Sequence, residues 1–142
     1  MVLADDHTPF RAALRNLLQR QADLEVVGEA GDGIEAVELV RSLLPDVVVT
    51  DMRMPRLNGG AAIGQFRSAH PAVKVIVVSV NSAHIMASEM LAAGASGYVT
   101  KADAEELPRA IRAVTNGLEY LSHEVAGFEA PLPANDSSAG AT

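Results

Sequence analysis

The sequence predicts an α/β protein in which a parallel sheet of five strands, each followed by a helix, is doubly wound with helices on both faces. Three observations predict it. Short apolar runs alternate along the chain with longer segments of helical period. The runs are near-continuous rather than alternating with polar residues, as in strands covered on both faces. Some end abruptly in a carboxylate or hydroxyl, as in "VVVTDMRMPRLNGG" from Val47 to Gly60. In open parallel sheets ligands sit beyond the carboxyl ends of the strands, so a buried run ending in Asp51 places that residue at a site.

The elements follow in order. Val2–Ala4 reads as the first strand and "HTPFRAALRNLLQRQ" as the first helix. Leu24–Ala30 is the second strand, with "DGIEAVELVRSLL" behind it. Val47–Thr50 leads through the Pro55, Asn58 and glycine loop into "GGAAIGQFRSAH". Val73–Ser79 leads into "NSAHIMASEMLAAG", which Gly94 stops. Gly97–Thr100 is the fifth strand, and "ADAEELPRAIRAVTNG" the fifth helix, stopped at Gly117. Pro108 conflicts with a cap at Asp103 paired with Glu106, because it then falls about a turn inside the helix. Either that first turn is irregular or the helix starts late. From His123 the periodicity stops, and "GFEAPLPANDSSAGAT" is too poor in apolar side chains to offset its ordering entropy. The expected division is therefore a domain over 1–122 and a flexible linker or tail over 123–142.

At 142 residues the chain is large enough to bury roughly two-thirds of its unfolded surface in one core. No cysteine is present, which removes disulfide and thiolate chemistry. "MVLADDH" has no basic leader ahead of a long apolar core, and no run approaches the roughly 20 apolar residues of a membrane span. The expectation is a cytoplasmic chain. Its formal net charge of −7 repels a phosphate backbone, so DNA binding would need residues absent from this chain. The four histidines share no metal-ligand spacing and read as surface or cap residues.

Strand ends deliver Asp5 and Asp6, Asp51, Ser79 and Lys101 to one edge. Singly each has a plainer reading: two aspartates after a strand cap a helix, a lysine is solvated, a serine caps a turn. Together, the carboxylates make a hard-oxygen pocket of the kind Mg²⁺ accepts. Each like-charge pair at about 4 Å is unfavourable by about 4 kcal/mol at an effective dielectric near 20. Mg²⁺ and the Lys101 ammonium supply the counter-charge. The chemistry suggested is phosphoryl transfer onto Asp51, with Ser79 as the hydroxyl donor.

"VLADDH", "PDVVVTDMRMPRLNG", "VIVVSV" and "GASGYVTKAD" resemble the receiver domain of two-component response regulators, in particular the NarL/FixJ (LuxR-type) branch, over roughly Val2 to Ser122. The resemblance implies the flavodoxin-like strand order 2-1-3-4-5. It implies that Asp51 is the phospho-acceptor and that Mg²⁺ is held by Asp6, Asp51 and the backbone carbonyl of Arg53, with Asp5 acting through water. It further implies that Ser79 and Lys101 bind phosphate, and that Tyr98 is the aromatic whose rotamer follows the switch. Val80 is bulkier than the residue many receivers carry there, so Arg53, Val80 and Asn81 are expected to tune the lifetime of the phosphorylated state.

The implied partners are a sensor histidine kinase, docking on the first helix near its start at Pro9, Phe10 and Leu14, of which Phe10 and Leu14 read as core before contact, and a second copy on phosphorylation. "YLSHEVAG" resembles the approach to a helix-turn-helix domain, which favours the receiver part of a transcription regulator over a stand-alone receiver. Two other readings stay open. A haloacid-dehalogenase-like phosphatase would carry a second aspartate where this chain has Arg53, and a structural αβ module would have no Mg²⁺ affinity.

Overall fold

A computed structural model describes residues 1–56 and 59–129; Leu57 and Asn58, with Asn58 of the loop read above, and residues 130–142 lie outside it. Six strands form one parallel sheet in the order β2-β1-β3-β4-β5-β6. They are β1 (Val2–Ala4), β2 (Gly28–Ala30), β3 (Val47–Asp51), β4 (Lys74–Ser79), β5 (Gly97–Thr100) and β6 (Tyr120–Leu121). The helices are α1 (Thr8–Gln19), α2 (Gly33–Leu43), α3 (Gly59–Ala69), α4 (His84–Ala92), α5 (Leu107–Thr115) and α6 (His123–Glu129). The order 2-1-3-4-5 that the resemblance implied is present, with β6 added at the β5 edge.

Two apolar layers sandwich the sheet. Leu14 and Leu18 of α1 and Leu107, Ile111 and Val114 of α5 pack on Leu3, Val47, Val49, Ile76, Val78 and Val99. Val40 of α2, Ile63 and Phe66 of α3, and Ala87 and Met90 of α4 pack on Val2, Val48, Val75, Val77 and Tyr98 of the other face. Alternate residues of β3 and β4 thus enter opposite cores, which is why their runs are apolar throughout. Each valine buried this way stabilises the fold by about 1.5–3 kcal/mol relative to exposure. Leu14 lies in this core, as its sequence reading favoured.

Caps set the helix ends. Asp32 precedes α2 and accepts from the Glu35 amide at 2.8 Å, while Glu35 Oε1 accepts from the Gly31 amide at 3.0 Å. Gly94 at φ +117° and Gly117 at φ +83° end α4 and α5 in a conformation that other residues reach with strain.

Three sequence expectations need correction. The second strand begins at Gly28, not Leu24, because its partner β1 pairs only from Val2 opposite Gly28. Leu24–Val27 is held instead by two bonds to Met1. Nearby, Arg112 of α5 grips Asp23 through both carboxylate oxygens at 2.9 Å and Gln21 at 2.8 Å. Second, the cap at Asp103 is not made, and of the two alternatives at Pro108 the late start holds: Glu106 occupies the N-cap position of α5 with no side-chain cap bond. A 3-10 helix spans Lys101–Glu106 and α5 starts late, with Pro108 in its first turn, where a missing N–H is harmless.

Third, ordered structure does not stop at Ser122. Both carboxylates seat the next helix: Asp103 accepts from the Glu124 amide at 2.7 Å, and Glu106 accepts from the His123 amide at 3.1 Å and from the Tyr120 hydroxyl at 2.6 Å. Val125 of α6 is fully buried beside Tyr98 and Met90. One buried valine and two remote carboxylates hold the start of this helix where the local sequence looked too polar. The rest of the expected tail lies outside the described residues.

Candidate functional site

Register brings the predicted residues together. Ala4 pairs with Thr50, Asp51 with Val78, and Ser79 with Thr100, so Asp5, Asp51, Ser79 and Lys101 reach the carboxyl edge in one row. A cavity of about 380 Å³ opens there, lined by Asp6, Asp51, Met52, Arg53, Ser79, Val80, Asn81 and Lys101. Asp5 lies beneath its floor, only 2% exposed, and Tyr98 is buried behind it. A larger cavity at the opposite edge, lined by Leu24, Leu44 and Ile111 among others, contains none of the predicted residues.

Lys101 is the electrostatic centre. Its Nζ lies 3.2 Å from Asp5 Oδ2 and 3.5 Å from Asp51 Oδ2. Its ammonium also sits over Phe10, 4.5 Å from the ring centroid, a cation–π contact. Asp5 Oδ1 accepts from the His7 amide at 2.8 Å, and Asp51 Oδ1 from the Arg53 amide at 3.4 Å. Burial pushes the Asp51 carboxyl above the ordinary carboxylate range and Asp5 adds to it, against the opposing pull of Lys101 and the Arg53 amide.

Asp5, Asp6 and Asp51 each place one carboxylate oxygen within 4.8 Å of the others. Asp5 Oδ2 is buried and, apart from the ammonium, receives no aligned hydrogen bond. Three hard anionic oxygens against one ammonium, with a buried oxygen short of a donor, fit a small divalent cation.

Ser79 is buried and its Oγ accepts from the Asn81 amide at 3.0 Å. Asn81 Oδ1 in turn accepts from the Ala83 amide at 2.9 Å just before α4. The Tyr98 hydroxyl donates to the Asn81 carbonyl at 2.7 Å, and burial raises the phenol above its usual range despite the opposing contact with Ser79. A polar chain thus links Ser79, Asn81 and Tyr98. Val80 stands at the rim, 82% exposed, and Arg53 is exposed beside it.

Sequence reasoning missed Arg11 and Glu29. Arg11 of α1 donates through Nη1 to the Asp5 carbonyl at 2.5 Å and pairs through Nε with Glu29 at 3.1 Å. An arginine within a helical stretch reads as solvated, and nothing in the spacing says which strand end its face meets.

Similarity to known proteins identifies the family. Residues 1–112 match the family described as the response regulator receiver domain. The transcriptional regulatory protein DegU of Brevibacillus brevis is 37% identical over 126 residues, which are 88% of this chain and 53% of DegU. The response regulator GacA of Pseudomonas aeruginosa is 37% identical over 127 residues, 89% of this chain and 59% of GacA. The chain thus spans a little over half the length of these relatives. The solved structure of a two-component response regulator of the LuxR family from Aurantimonas sp. SI85-9A1 superposes with a TM-score of 0.84 at 36% identity, covering 89% of this chain and 91% of that one. The isolated receiver domain of RcsB from Salmonella enterica serovar Typhimurium, solved in the presence of the phosphomimetic BeF3⁻, gives a TM-score of 0.80 at 26% identity, covering 89% and 94%. The chain therefore belongs to the response regulator receiver domain family, in its NarL/FixJ (LuxR-type) branch.

Proposed function

We propose that Asp51 is the phospho-acceptor of this receiver and that a sensor histidine kinase is its donor. The observation that carries the reading is the Lys101 ammonium lodged between Asp5 and Asp51 beside a cavity that Ser79 also lines. A carboxylate oxygen of Asp51 attacks the phosphorus of a phosphohistidine. The P–N bond breaks, its electron pair stays with the imidazole, and an acyl phosphate forms. Lys101 is held where it can pair with the incoming oxygens, and the Ser79 hydroxyl can turn to donate to another. Asp6, Asp51 and the Arg53 carbonyl would hold Mg²⁺ directly, with Asp5 through water. When bound, the ion supplies positive charge against the equatorial oxygens of the transferring group.

The switch follows from the polar chain. Movement of Ser79 toward a phosphoryl oxygen breaks its bond with the Asn81 amide and shifts the carbonyl that Tyr98 holds, altering the face built by α4, β5 and α5. Moving such an equilibrium from 1:99 to 99:1 needs about 5.5 kcal/mol of differential stabilisation. Arg53, Val80 and Asn81 line the mouth and set how fast water reaches the acyl phosphate. With Arg53 where a phosphatase of the haloacid-dehalogenase type would carry its acid/base aspartate, the pocket serves a switch and not turnover of external esters.

In the longer protein, this chain is the cytoplasmic receiver of a LuxR-type transcription regulator. It pairs with a second copy on phosphorylation and reaches DNA through a domain outside residues 1–142. Reading the encoding gene past Thr142 tests that assignment. The pocket is tested by intact mass after incubation with a small phosphodonor, with and without Mg²⁺, for wild type and Asp51→Asn. One Mg²⁺-dependent phosphoryl adduct, lost in the variant, is expected. An adduct that persists in Asp51→Asn, or none on the folded wild type, overturns the reading.

A further inference from the structure

Arg11 is held more tightly than a surface arginine, and what it holds is the acidic pair. Its side chain is only 18% exposed. Glu29 takes its Nε at 3.1 Å, and Arg15 joins Glu29 at 2.8 Å. The free end of the fork donates to the carbonyl of Asp5 at 2.5 Å. That carbonyl belongs to the peptide plane joining Asp5 to Asp6, and a planar peptide held at its oxygen restrains the place of the Asp6 Cα from which the side chain departs. Asp5 is tied on its other side, where its amide donates to the Ala30 carbonyl at 3.0 Å. Glu29, shared by Arg11 and Arg15, holds the Arg11 guanidinium so that it acts on the Asp5 carbonyl as an oriented donor.

We propose that Arg11, fixed by Glu29, is a positioning residue for the divalent-cation site, setting the Asp5–Asp6 peptide so that both carboxylates face the ion. This rests on the reading of Asp5, Asp6 and Asp51 as that site. Residues that orient metal ligands from behind typically change affinity by about 10–100-fold when removed. A cation acting only through its charge makes the opposite prediction, because its loss would tighten binding of Mg²⁺.

The test is calorimetric titration of the full chain with Mg²⁺, for wild type, Arg11→Met, Arg11→Lys and Asp51→Asn, with unfolding midpoints measured in chelator. The expected result is a dissociation constant weakened about tenfold in Arg11→Met, and a smaller weakening in Arg11→Lys, which keeps the charge and loses the fork. In phosphorylation by a small phosphodonor, the Mg²⁺ concentration for half-maximal rate should rise in step, with the rate at saturating Mg²⁺ unchanged. Affinity equal to or tighter than wild type in folded Arg11→Met overturns the proposal. If the methionine variant does not fold, unchanged affinity in Arg11→Lys overturns it. Wild type that binds no Mg²⁺ overturns the metal-site reading beneath it, and weakening in Asp51→Asn but in neither Arg11 variant overturns the role of Arg11 alone.

Discussion

Removing the negative charge of Asp51 should stabilise the metal-free protein. With the three carboxylate oxygens within 4.8 Å of one another, each neighbour repels an ionised Asp51 by at least about 3.5 kcal/mol at an effective dielectric near 20. Lys101 at 3.5 Å returns about 4.7 kcal/mol on the same scale. About 2 kcal/mol of repulsion is left, which water and salt at the cavity mouth reduce to about 1–2 kcal/mol.

The pH dependence has a definite sign. A carboxyl raised above its ordinary 3.8 in the folded state ionises more readily in the unfolded chain, so folding is penalised above the raised value. The penalty fades as pH falls through that value and is absent below 3.8. Asp51→Asn in chelator at pH 7 should therefore unfold roughly 3–8 °C higher than wild type, with the gain lost near pH 3.5. Saturating Mg²⁺ should close the gap by stabilising wild type through binding to the native state only. Thermal melts over that grid decide it. An asparagine variant no more stable than wild type in chelator at pH 7 would refute the charge argument.

Other consequences are simpler to check. Loss of the acyl phosphate should change in rate in both Arg53→Ala and Asn81→Ala, measured as decay of the phosphoryl adduct; unchanged rates in both would sink their role in its lifetime. Tyr98→Phe removes a buried hydroxyl bonded to the Asn81 carbonyl and should lower stability by about 1 kcal/mol in urea titrations. Val125→Ala empties a fully buried position and should destabilise by about 1.5–3 kcal/mol. A neutral result there would mean that α6 is not part of the cooperative unit.

Much of the architecture was legible because both faces of β3 and β4 are covered, leaving unbroken valine and isoleucine runs whose ends name the site. Asp5, Asp6, Asp51, Ser79 and Lys101 could be gathered without coordinates, since parallel strands share one carboxyl edge. The second strand was overread because Leu24–Val27 has strand composition but no strand beside it. Tyr120, Leu121 and the start of α6 escaped notice for the opposite reason. Their stability comes from Asp103 and Glu106, residues about twenty positions earlier whose spacing mimics a local cap. Arg11 escaped because a hydrogen bond to a backbone carbonyl leaves no mark in side-chain pattern.

The seating of α6 has a mechanical consequence. Its first amides are held by carboxylates on the same short 3-10 stretch that begins with Lys101. Ser122, immediately before it, donates through its amide to the Tyr98 carbonyl and accepts through its hydroxyl from the Thr100 amide. The helix thus has a pivot at Ser122 and two short struts running to the wall of the pocket, with no slack loop between. On the proposed reading, a change of charge at Asp51 that moved Lys101 would reach the first turn of α6 directly through these two carboxylates.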